Sequence, residues 1–319
     1  MNRRFVPLLA LFSIALAAAL PAHASDYPNH PIELVVPYNA GGGTDALARA
    51  FADVARKHLS QPIVVNNKPG ASGVIGWSDV LNSKPDGYKL ALMTVELTTL
   101  PHLGLQKFSH EEFTPIARMN ADPAAITVKA DAPWNTIEEF IAAAKKANGE
   151  TKMGNSGNGS IWHLAAAALE DRTGVTFSHI PYPGANPAVL SLLGGHIDAV
   201  AVSPAEVAPH VASGKLKMLA VMADQRQKGF EKVPTLKERG IDLSVGTWRG
   251  LGAPKNTPKD VIEILKAATL KIMLEPAMHE AMDKLALGYA YADDATFRAV
   301  MARDNETFKT LIPKLGLKN

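Results

Sequence analysis

The stretch Ile32–Leu59 reads IELVVPYNAGGGTDALARAFADVARKHL and predicts a strand, a glycine-rich loop and a helix, in that order. Ile32–Val36 is a short apolar run of the kind that forms a buried strand. Apolar residues then recur at helical spacing, so we expect a helix that begins at Thr44 or Asp45. The three glycines at 41–43 let a ligand approach the backbone closely. The first helical turn presents free N–H groups, so this stretch predicts an anion-binding loop.

The first 24 residues have the pattern of an export signal. Arg3 and Arg4 precede the apolar run Phe5–Leu20, and residues 22–24 read Ala-His-Ala, a small-x-small cleavage pattern. We expect cleavage after about Ala24 and a mature protein in the periplasm. The alternative is a transmembrane anchor, but the run is short for a span of about 20 residues and no second hydrophobic segment follows it.

Composition narrows the class of protein. Without residues 1–24 the 319-residue chain keeps 295 residues, enough for two domains. The two arginines of the signal account for the formal net charge of +2, so the mature chain is close to neutral. A nucleic-acid partner is therefore not expected, since it would require a basic surface. The chain has no cysteine, and its ten histidines lack the spacing of metal ligands. We expect no metal and no cofactor.

Strand and helix patterns alternate along the chain and predict an α/β protein with two lobes. We place lobe 1 at residues 25–123 plus 250–319 and lobe 2 at 124–249, with a ligand cleft between them. Each lobe is expected to contain a mainly parallel sheet flanked by helices. The chain would cross between the lobes near residues 120–125 and 245–250, which makes these segments the expected hinges.

A second glycine loop, GNSGNGS at 154–160, lies in the other lobe and has the same predicted order of strand, glycine-rich loop and helix as the first. It precedes a helix for which Ser160 is the predicted N-cap. Two such loops on facing lobes could hold a small carboxylate from both sides, each with N–H and hydroxyl donors. The alternative is that each loop is an ordinary turn between a strand and a helix.

The sequence supports a catalytic function less well than it supports carboxylate binding. The chain lacks the P-loop pattern, and no lysine enters either glycine loop. The GNSGN segment lacks the last glycine of the G-x-S-x-G nucleophile elbow. A secreted hydrolase that pairs Ser156 or Ser160 with His163 stays open as an alternative. We favour a polar, non-catalytic role for His163 at the helix start, and we assign no catalytic residue.

Six segments occur in an order that resembles a known family: PYNAGGGTD (37–45), NNKPGASGVIG (66–76), PDGYKLAL (85–92), GNSGNGSIWHLAAAALE (154–170), PYPGANPAVLSLLGGHIDA (181–199) and TWRGLGAPKNTP (247–258). Together they look like the periplasmic substrate-binding receptors of tripartite tricarboxylate transporters, the Bug family. The resemblance implies a type II-like, Venus-flytrap binding protein that closes on a small carboxylate. It also implies delivery to the integral-membrane permease subunits of such a transporter. We expect a monomer, and a sensor that presents its closed form to a signalling partner stays open as an alternative.

The resemblance implies that both glycine loops hold the ligand. The residues concerned are Tyr38, Asn39, Ala40, Gly42, Gly43, Thr44 and Asp45 in the first loop, and Asn155, Ser156, Asn158, Gly159, Ser160 and His163 in the second.

Four further residues are expected to determine which carboxylate is bound: Glu96, Tyr182, Trp162 and Arg249. Trp162 could narrow the pocket, or else it packs against the surface of its lobe. Glu96 stands where the family usually has small or hydroxyl residues, so it would repel a second carboxylate or pair with an amino or amide group, or else it is solvated. Arg249 would give a distal carboxylate a bidentate partner, or else it lies on the surface. Tyr182 would form an aromatic wall, or else it belongs to the core.

Overall fold

The computed structural model describes residues 27–317, so the predicted export signal lies outside the described residues. The strands in this range are β1 (Ile32–Val36), β2 (Ile63–Asn67), β3 (Lys89–Thr94), β4 (Phe113–Pro123), β5 (Ala125–Lys129), β6 (Lys152–Asn155), β7 (Ser178–Pro181), β8 (Ala199–Val202), β9 (Leu216–Val221), β10 (Gly246–Pro254) and β11 (Tyr289–Asp293). The helices are α1 (Gly43–Ala55), α2 (Val74–Leu81), α3 (Ile137–Ala147), α4 (Ile161–Thr173), α5 (Ala185–Leu193), α6 (Pro204–Ala212), α7 (Lys259–Leu274), α8 (Pro276–Lys284) and α9 (Asp294–Lys314).

The opening stretch folds as predicted. β1 is buried along its length except for Glu33, and the apolar face of α1 packs on the sheet through Leu47, Phe51 and Val54. Burying side chains of this size stabilises the fold by roughly 1.5–3 kcal/mol each. No helix within residues 27–317 is long and apolar enough to cross a membrane.

Two helix-flanked sheets form the two lobes, which confirms the predicted two-lobed α/β fold. Within the described residues, the first sheet has the strand order β11-β4-β10-β3-β1-β2 and the second has the order β7-β6-β8-β5-β9. Both sheets are mixed, whereas we predicted mainly parallel ones. β1 pairs in parallel with β2 and β3, but β10 is antiparallel to β3 and β4, because it brings the chain back from the second lobe. β5 is likewise antiparallel to β8 and β9.

The connection between the lobes is short and hydrogen-bonded. Ala124 alone separates β4 of the first sheet from β5 of the second. Its N–H donates to the carbonyl of Val245 (2.8 Å), and its carbonyl accepts from the N–H of Met222 (2.7 Å). Val245 in turn donates to Met222 (3.1 Å), so three chain segments meet at this point. Both predicted crossovers lie here, although the predicted boundary at 249/250 falls inside β10.

The polar strands were the least predictable elements. β4 runs for eleven residues from Phe113 to Pro123, although polar and charged residues interrupt its apolar pattern. β11 was not predicted, since its sequence YAYAD is half-exposed at the sheet edge and lacks an apolar run. The predicted cap of α4 is confirmed, because the Ser160 side chain accepts a hydrogen bond from the His163 N–H.

Candidate functional site

A small cavity of about 20 Å³ lies between the two lobes, where the first and second glycine loops face each other. Its lining includes eight of the residues predicted from the sequence: Tyr38, Asn39, Gly42, Thr44, Glu96, Ser156, Trp162 and Arg249. The other lining residues are Thr94, Ile161, Ala185, Glu206 and Thr247. A cavity of this size holds about one water molecule. Entry of a solute therefore requires the lobes to separate or the lining to move.

The N-terminus of α1 forms one end of the cavity, with Gly42 and Thr44 in the lining. The first hydrogen bond of this helix runs from Ala46 N–H to the Gly42 carbonyl (2.9 Å). The N–H groups of residues 43–45 precede that bond, and the glycine at the N-cap has no side chain to accept from them. This end of the cavity therefore keeps the N–H donors and the positive helix dipole that an anion requires.

Asp45 turns its carboxylate away from that end. It accepts from Gly41 N–H (2.9 Å), from Arg49 Nε (3.0 Å) and from Asn67 Nδ2 (2.9 Å). Three donors thus hold the side chain against its own loop. The position of Asp45 suits a loop-ordering role more than ligand contact.

The N–H donors of the second loop are bonded to other groups of the protein, whereas we predicted that they would bind the ligand. Gly157 N–H donates to Asn155 Oδ1 (2.9 Å), and Gly159 N–H donates to His163 Nδ1 (3.1 Å). The first N–H of α4, on Ile161, donates to Glu96 Oε1 of the other lobe (3.0 Å). The two loops are therefore not equivalent, because the anion site at the N-terminus of α4 is already filled by a carboxylate of the chain.

Glu96 is buried, with 2% of its surface exposed, so the solvated alternative is wrong. Its second carboxylate oxygen accepts from the Thr94 hydroxyl, and the Tyr38 hydroxyl lies 3.2 Å from that threonine oxygen. Burial raises the pKa of Tyr38 well above its usual value, and the charge of Glu96 adds to the effect. Tyr38 is therefore a neutral hydroxyl that lies between Thr94 Oγ1 and the Ser72 carbonyl (3.4 Å), while Thr94 and Ile161 both donate to Glu96.

Arg249 is also buried, with 1% exposed, so the surface alternative is wrong for it too. Its Nε donates to Thr44 Oγ1 (2.9 Å), and its Nη1 donates to Asn120 Oδ1 (2.6 Å) and Asp122 Oδ2 (2.5 Å). Its Nη2 lies 3.4 Å from Glu206 Oε1 on the other lobe. The guanidinium is thus neutralised by Asp122, and both of its bidentate edges are occupied.

Glu206 enters the cavity from the start of α6 in the second lobe. The Ser203 N–H donates to its Oε2 (2.9 Å), and its side chain is 3% exposed. Burial raises its pKa to about 7; Arg249 and the Ser203 N–H oppose this shift, and Asp122 adds to it. Near neutral pH the group is therefore divided between its acid and its carboxylate form.

His163 orders the second loop as a neutral imidazole. Burial and, to a smaller extent, the neighbouring His179 lower its pKa to about 4, while Glu170 opposes the shift. Its Nδ1 accepts from Gly159, which requires that nitrogen to be unprotonated. Ser160 interacts with the backbone N–H of His163, as a helix cap. The arrangement is that of a structural histidine.

The remaining predicted residues lie around the cavity but outside its lining. The Ala40 carbonyl accepts from Asn186 Nδ2 (3.1 Å) and the Asn158 carbonyl from Ser72 Oγ (2.7 Å), both across the cleft. Tyr182 directs its hydroxyl to Ser191 Oγ, at 2.5 Å.

Sequence reasoning missed Glu206, although a signal was available. Ser203 and Glu206 have the S-x-x-E spacing of a helix start, which predicts a carboxylate near the end of β8. Arg249 stands in the otherwise apolar stretch TWRGLGAP, and a charge in such a strand indicates a buried partner. Asp122 and Glu206 are those partners.

Comparison with known proteins identifies the family. The model of the tripartite tricarboxylate transporter family receptor matches residues 47–317. The chain belongs to this family. A Cupriavidus necator member, the UPF0065 protein in the gbd 5' region, is 37% identical over 303 residues, which cover 94% of this chain and 92% of the relative. The family is a periplasmic binding receptor family without enzymatic function, which confirms the prediction that the chain is not an enzyme.

Solved structures share the fold of this chain. The periplasmic binding protein BugD is 33% identical and superposes with a TM-score of 0.88, covering 92% of this chain and 99% of its own. A TctC solute-binding protein from Polaromonas, solved with no ligand, is 62% identical, covers 90% of this chain and 99% of its own, and superposes with a TM-score of 0.67. An R. palustris protein solved with adipate is 24% identical and superposes with a TM-score of 0.87. The match covers 91% of this chain and 99% of the R. palustris chain.

Proposed function

We propose that this chain is a periplasmic receptor that captures a small carboxylate between its lobes and delivers it to the membrane subunits of a tripartite transporter. The observation that carries the proposal is the N-terminus of α1, which has no side-chain cap and contributes Gly42 and Thr44 to the lining of the interlobe cavity. Membership of the receptor family supports the same reading, as does the adipate in the R. palustris structure. The carboxylate binds to residues 42–44, close to Tyr38 and Asn39.

Ligand capture is by closure of the lobes about the hinge at Ala124 and Val245. Lobe 1 then comprises residues 27–123 plus 246–317, and lobe 2 comprises residues 124–245, because all of β10 belongs to the first sheet. The TM-scores support this motion, because the structure without ligand superposes less well at 62% identity than BugD does at 33%. Sequence divergence cannot explain why the more similar sequence has the lower TM-score, whereas a different angle between two similar lobes can.

A binding screen tests the function. Calorimetry and thermal unfolding are measured with aliphatic and aromatic carboxylates, with and without amino groups. Ligand at about 100 times its Kd stabilises the folded chain by about 2.7 kcal/mol, so at least one compound should raise the Tm. Solution scattering with that compound should show compaction. A panel in which no carboxylate binds would overturn the proposal.

Delivery needs a separate test. The receptor is presented with and without its carboxylate to membranes that contain the permease subunits of a tripartite transporter from the same host. We expect the loaded receptor to be retained and to support uptake of the labelled compound. Uptake that is the same in the absence of the receptor would contradict delivery.

A further inference from the structure

A second cavity lies on the opposite face of β10 from the interlobe cavity. It has a volume of about 320 Å³ and lies between β4, β10 and α9. Arg249 lines the interlobe cavity, whereas Trp248, its neighbour in the strand, lines this second one. Successive side chains of a strand point to opposite faces, which separates the two spaces, although Thr247 contributes to both linings. We call the second cavity the hinge pocket, because Val245 also lines it.

The hinge pocket combines an apolar wall with a few polar side chains. α9 supplies Phe308 and Leu311 to the wall, and Val95 lines it from the segment after β3. The polar lining residues are Arg118 on β4, Ser244 before β10, and Arg303, Asp304 and Thr307 on α9. Ligand pockets of proteins typically have volumes of about 300–1,000 Å³ and a mostly apolar lining with a few polar groups. The size and lining of the hinge pocket therefore suit a small organic molecule.

Two arginines and a single carboxylate line this pocket within the part of the chain that the structure describes. The Nε and Nη2 of Arg303 both donate to Asp304 Oδ1, at 2.9 and 2.8 Å. The other oxygen of Asp304 accepts from Trp248 Nε1 (2.9 Å). Asp304 therefore neutralises Arg303, and both of its oxygens already accept hydrogen bonds.

Arg118 is the cation that this carboxylate leaves over. Its Nε donates to the Ala290 carbonyl of β11 (2.8 Å), but neither Nη1 nor Nη2 has a hydrogen-bond partner among residues 27–317. Burial and, to a smaller extent, the charge of Arg303 lower the pKa of Arg118, while Asp304 opposes this shift. A guanidinium nevertheless stays charged in proteins. The hinge pocket thus holds a half-buried positive charge without a counter-ion of the chain.

An oxyanion has the chemistry that this charge requires. The planar fork of a guanidinium matches two oxygens of a carboxylate or of a phosphate, and such charge-assisted pairs are stronger than neutral hydrogen bonds. A hydrocarbon or aromatic group attached to the oxyanion would bury apolar surface against Phe308 and Leu311. A cationic compound at the same place would be repelled by Arg118.

We propose that the hinge pocket is a second binding site, which takes a small organic oxyanion, with its carboxylate or phosphate on the Nη1 and Nη2 of Arg118 and its apolar body along Phe308 and Leu311. This site is separate from the carboxylate site at the N-terminus of α1, and it does not depend on the proposed receptor function.

Tryptophan indole resonances can locate the binding. Of the four tryptophans, Trp248 lines the hinge pocket and Trp162 lines the interlobe cavity. Heteronuclear NMR follows both during titration with phenyl phosphate, benzoate and inorganic phosphate, and benzylamine is the cationic control. We expect phenyl phosphate or benzoate to shift the Trp248 resonance with a Kd of about 1 mM or tighter. Inorganic phosphate should bind more weakly, because it has no apolar body. Trp248→Phe assigns the resonance, and the tighter compound shows whether the site prefers a phosphate or a carboxylate.

Variants of Arg118 test the assigned cation. Arg118→Gln should weaken binding at Trp248 by at least about tenfold, because it removes charge-assisted hydrogen bonds. Arg118→Lys keeps the charge and loses the fork, so its loss should be intermediate. Arg56→Gln is the matched control, since Arg56 is exposed and lies 3.8 Å from Asp53 on another surface of lobe 1. Its Kd should equal that of the unchanged protein, and thermal unfolding checks that each variant is folded.

Three outcomes would overturn the proposal. The first is a Trp248 resonance that neither phenyl phosphate nor benzoate shifts, including the case in which only Trp162 responds. The second is an equal response of Trp248 to benzylamine, which would show an apolar pocket without charge selection. The third is an unchanged Kd in folded Arg118→Gln. None of these results bears on carboxylate capture between the lobes, which the Trp162 resonance reports separately.

Discussion

The Ser72 hydroxyl donates a 2.7 Å hydrogen bond to the Asn158 carbonyl, and so joins the turn before α2 in one lobe to the second glycine loop in the other. It is one of a set of contacts that cross the cleft; the others pair Asn186 with Ala40, Thr99 with Gly159, Glu96 with Ile161, Arg249 with Glu206, and Lys228 with Asp283. These bonds form when the lobes are together, so each one favours the closed arrangement.

Ser72→Ala should therefore weaken ligand binding more than it weakens the fold. One net hydrogen bond of about 1 kcal/mol corresponds to an increase in Kd of about fivefold. Ser83→Ala is the matched control, because the Ser83 hydroxyl donates to the Val80 carbonyl (2.6 Å) within one lobe. Calorimetry with the best carboxylate measures both variants, and equal Kd values for the two would count against an interlobe role.

Arg249→Met should destabilise the protein strongly. It leaves Asp122, whose side chain is 1% exposed, without its cation, and losing one partner of a buried pair costs roughly 3–5 kcal/mol. Arg56→Met is the control, because Arg56 pairs with Asp53 on the surface at 3.8 Å and such pairs contribute about 0–1 kcal/mol. Urea unfolding measures both. A loss below about 1 kcal/mol in Arg249→Met would mean that Asp122 finds another partner.

His163 should make stability fall in acid. Unfolded histidine titrates near 6.5 and His163 in the fold near 4, so its contribution is complete above pH 6.5 and is lost as the pH falls toward 4. The loss is at most about 3 kcal/mol. His163→Asn does not titrate, yet its amide oxygen can accept from Gly159 N–H. Urea unfolding between pH 7 and 4 should therefore show a shallower decline for the variant. Parallel curves would exclude His163 as the titrating group.

Gly43→Ala should weaken ligand binding without destabilising the fold. An added Cβ would lie 3.2 Å from Arg249 Nη2 and 3.3 Å from Glu206 Cγ, so it would crowd the contact between the lobes. Alanine also favours the helix, by up to about 1 kcal/mol. We expect unchanged or higher stability to urea and weaker ligand binding. At Gly42 the nearest atom is 3.8 Å away, so Gly42→Ala adds a methyl group to the same binding loop without this crowding, and the comparison of the two variants isolates the crowding. Binding by Gly43→Ala as tight as that of Gly42→Ala would show that the crowding is relieved.

Local patterns in the sequence predicted local structure well. Ile32–Val36, the glycines after it and the start of α1 follow from spacing and residue type alone, and so does the cap of α4 by Ser160. The predicted loops do meet at the cavity, with Tyr38, Gly42, Thr44 and Ser156 in its lining. These features depend on neighbours within a few residues of each other.

The charge pattern of the site depends on distant parts of the chain. Arg249 is 127 residues from Asp122 and 43 from Glu206, so nothing next to it in sequence shows which acids neutralise it. Glu96 and Ile161 are 65 residues apart, so the sequence did not show that the carboxylate of Glu96 already occupies the helix N-terminus that follows the second glycine loop. The second loop was predicted as a donor for the same reason, because free N–H groups are expected at a helix start unless a distant group fills them.

The hinge proposed above would have a mechanical consequence. Ala124, Met222 and Val245 are tied together by three backbone hydrogen bonds, which fixes the pivot to a few ångströms of chain. A rotation about a fixed pivot displaces each atom in proportion to its distance from that axis. The far rims of the two lobes therefore travel further than the cavity wall for the same angle. A partner protein that contacts both rims would therefore distinguish the ligand-bound receptor from the empty one by the larger displacement of the rims, without contacting the solute.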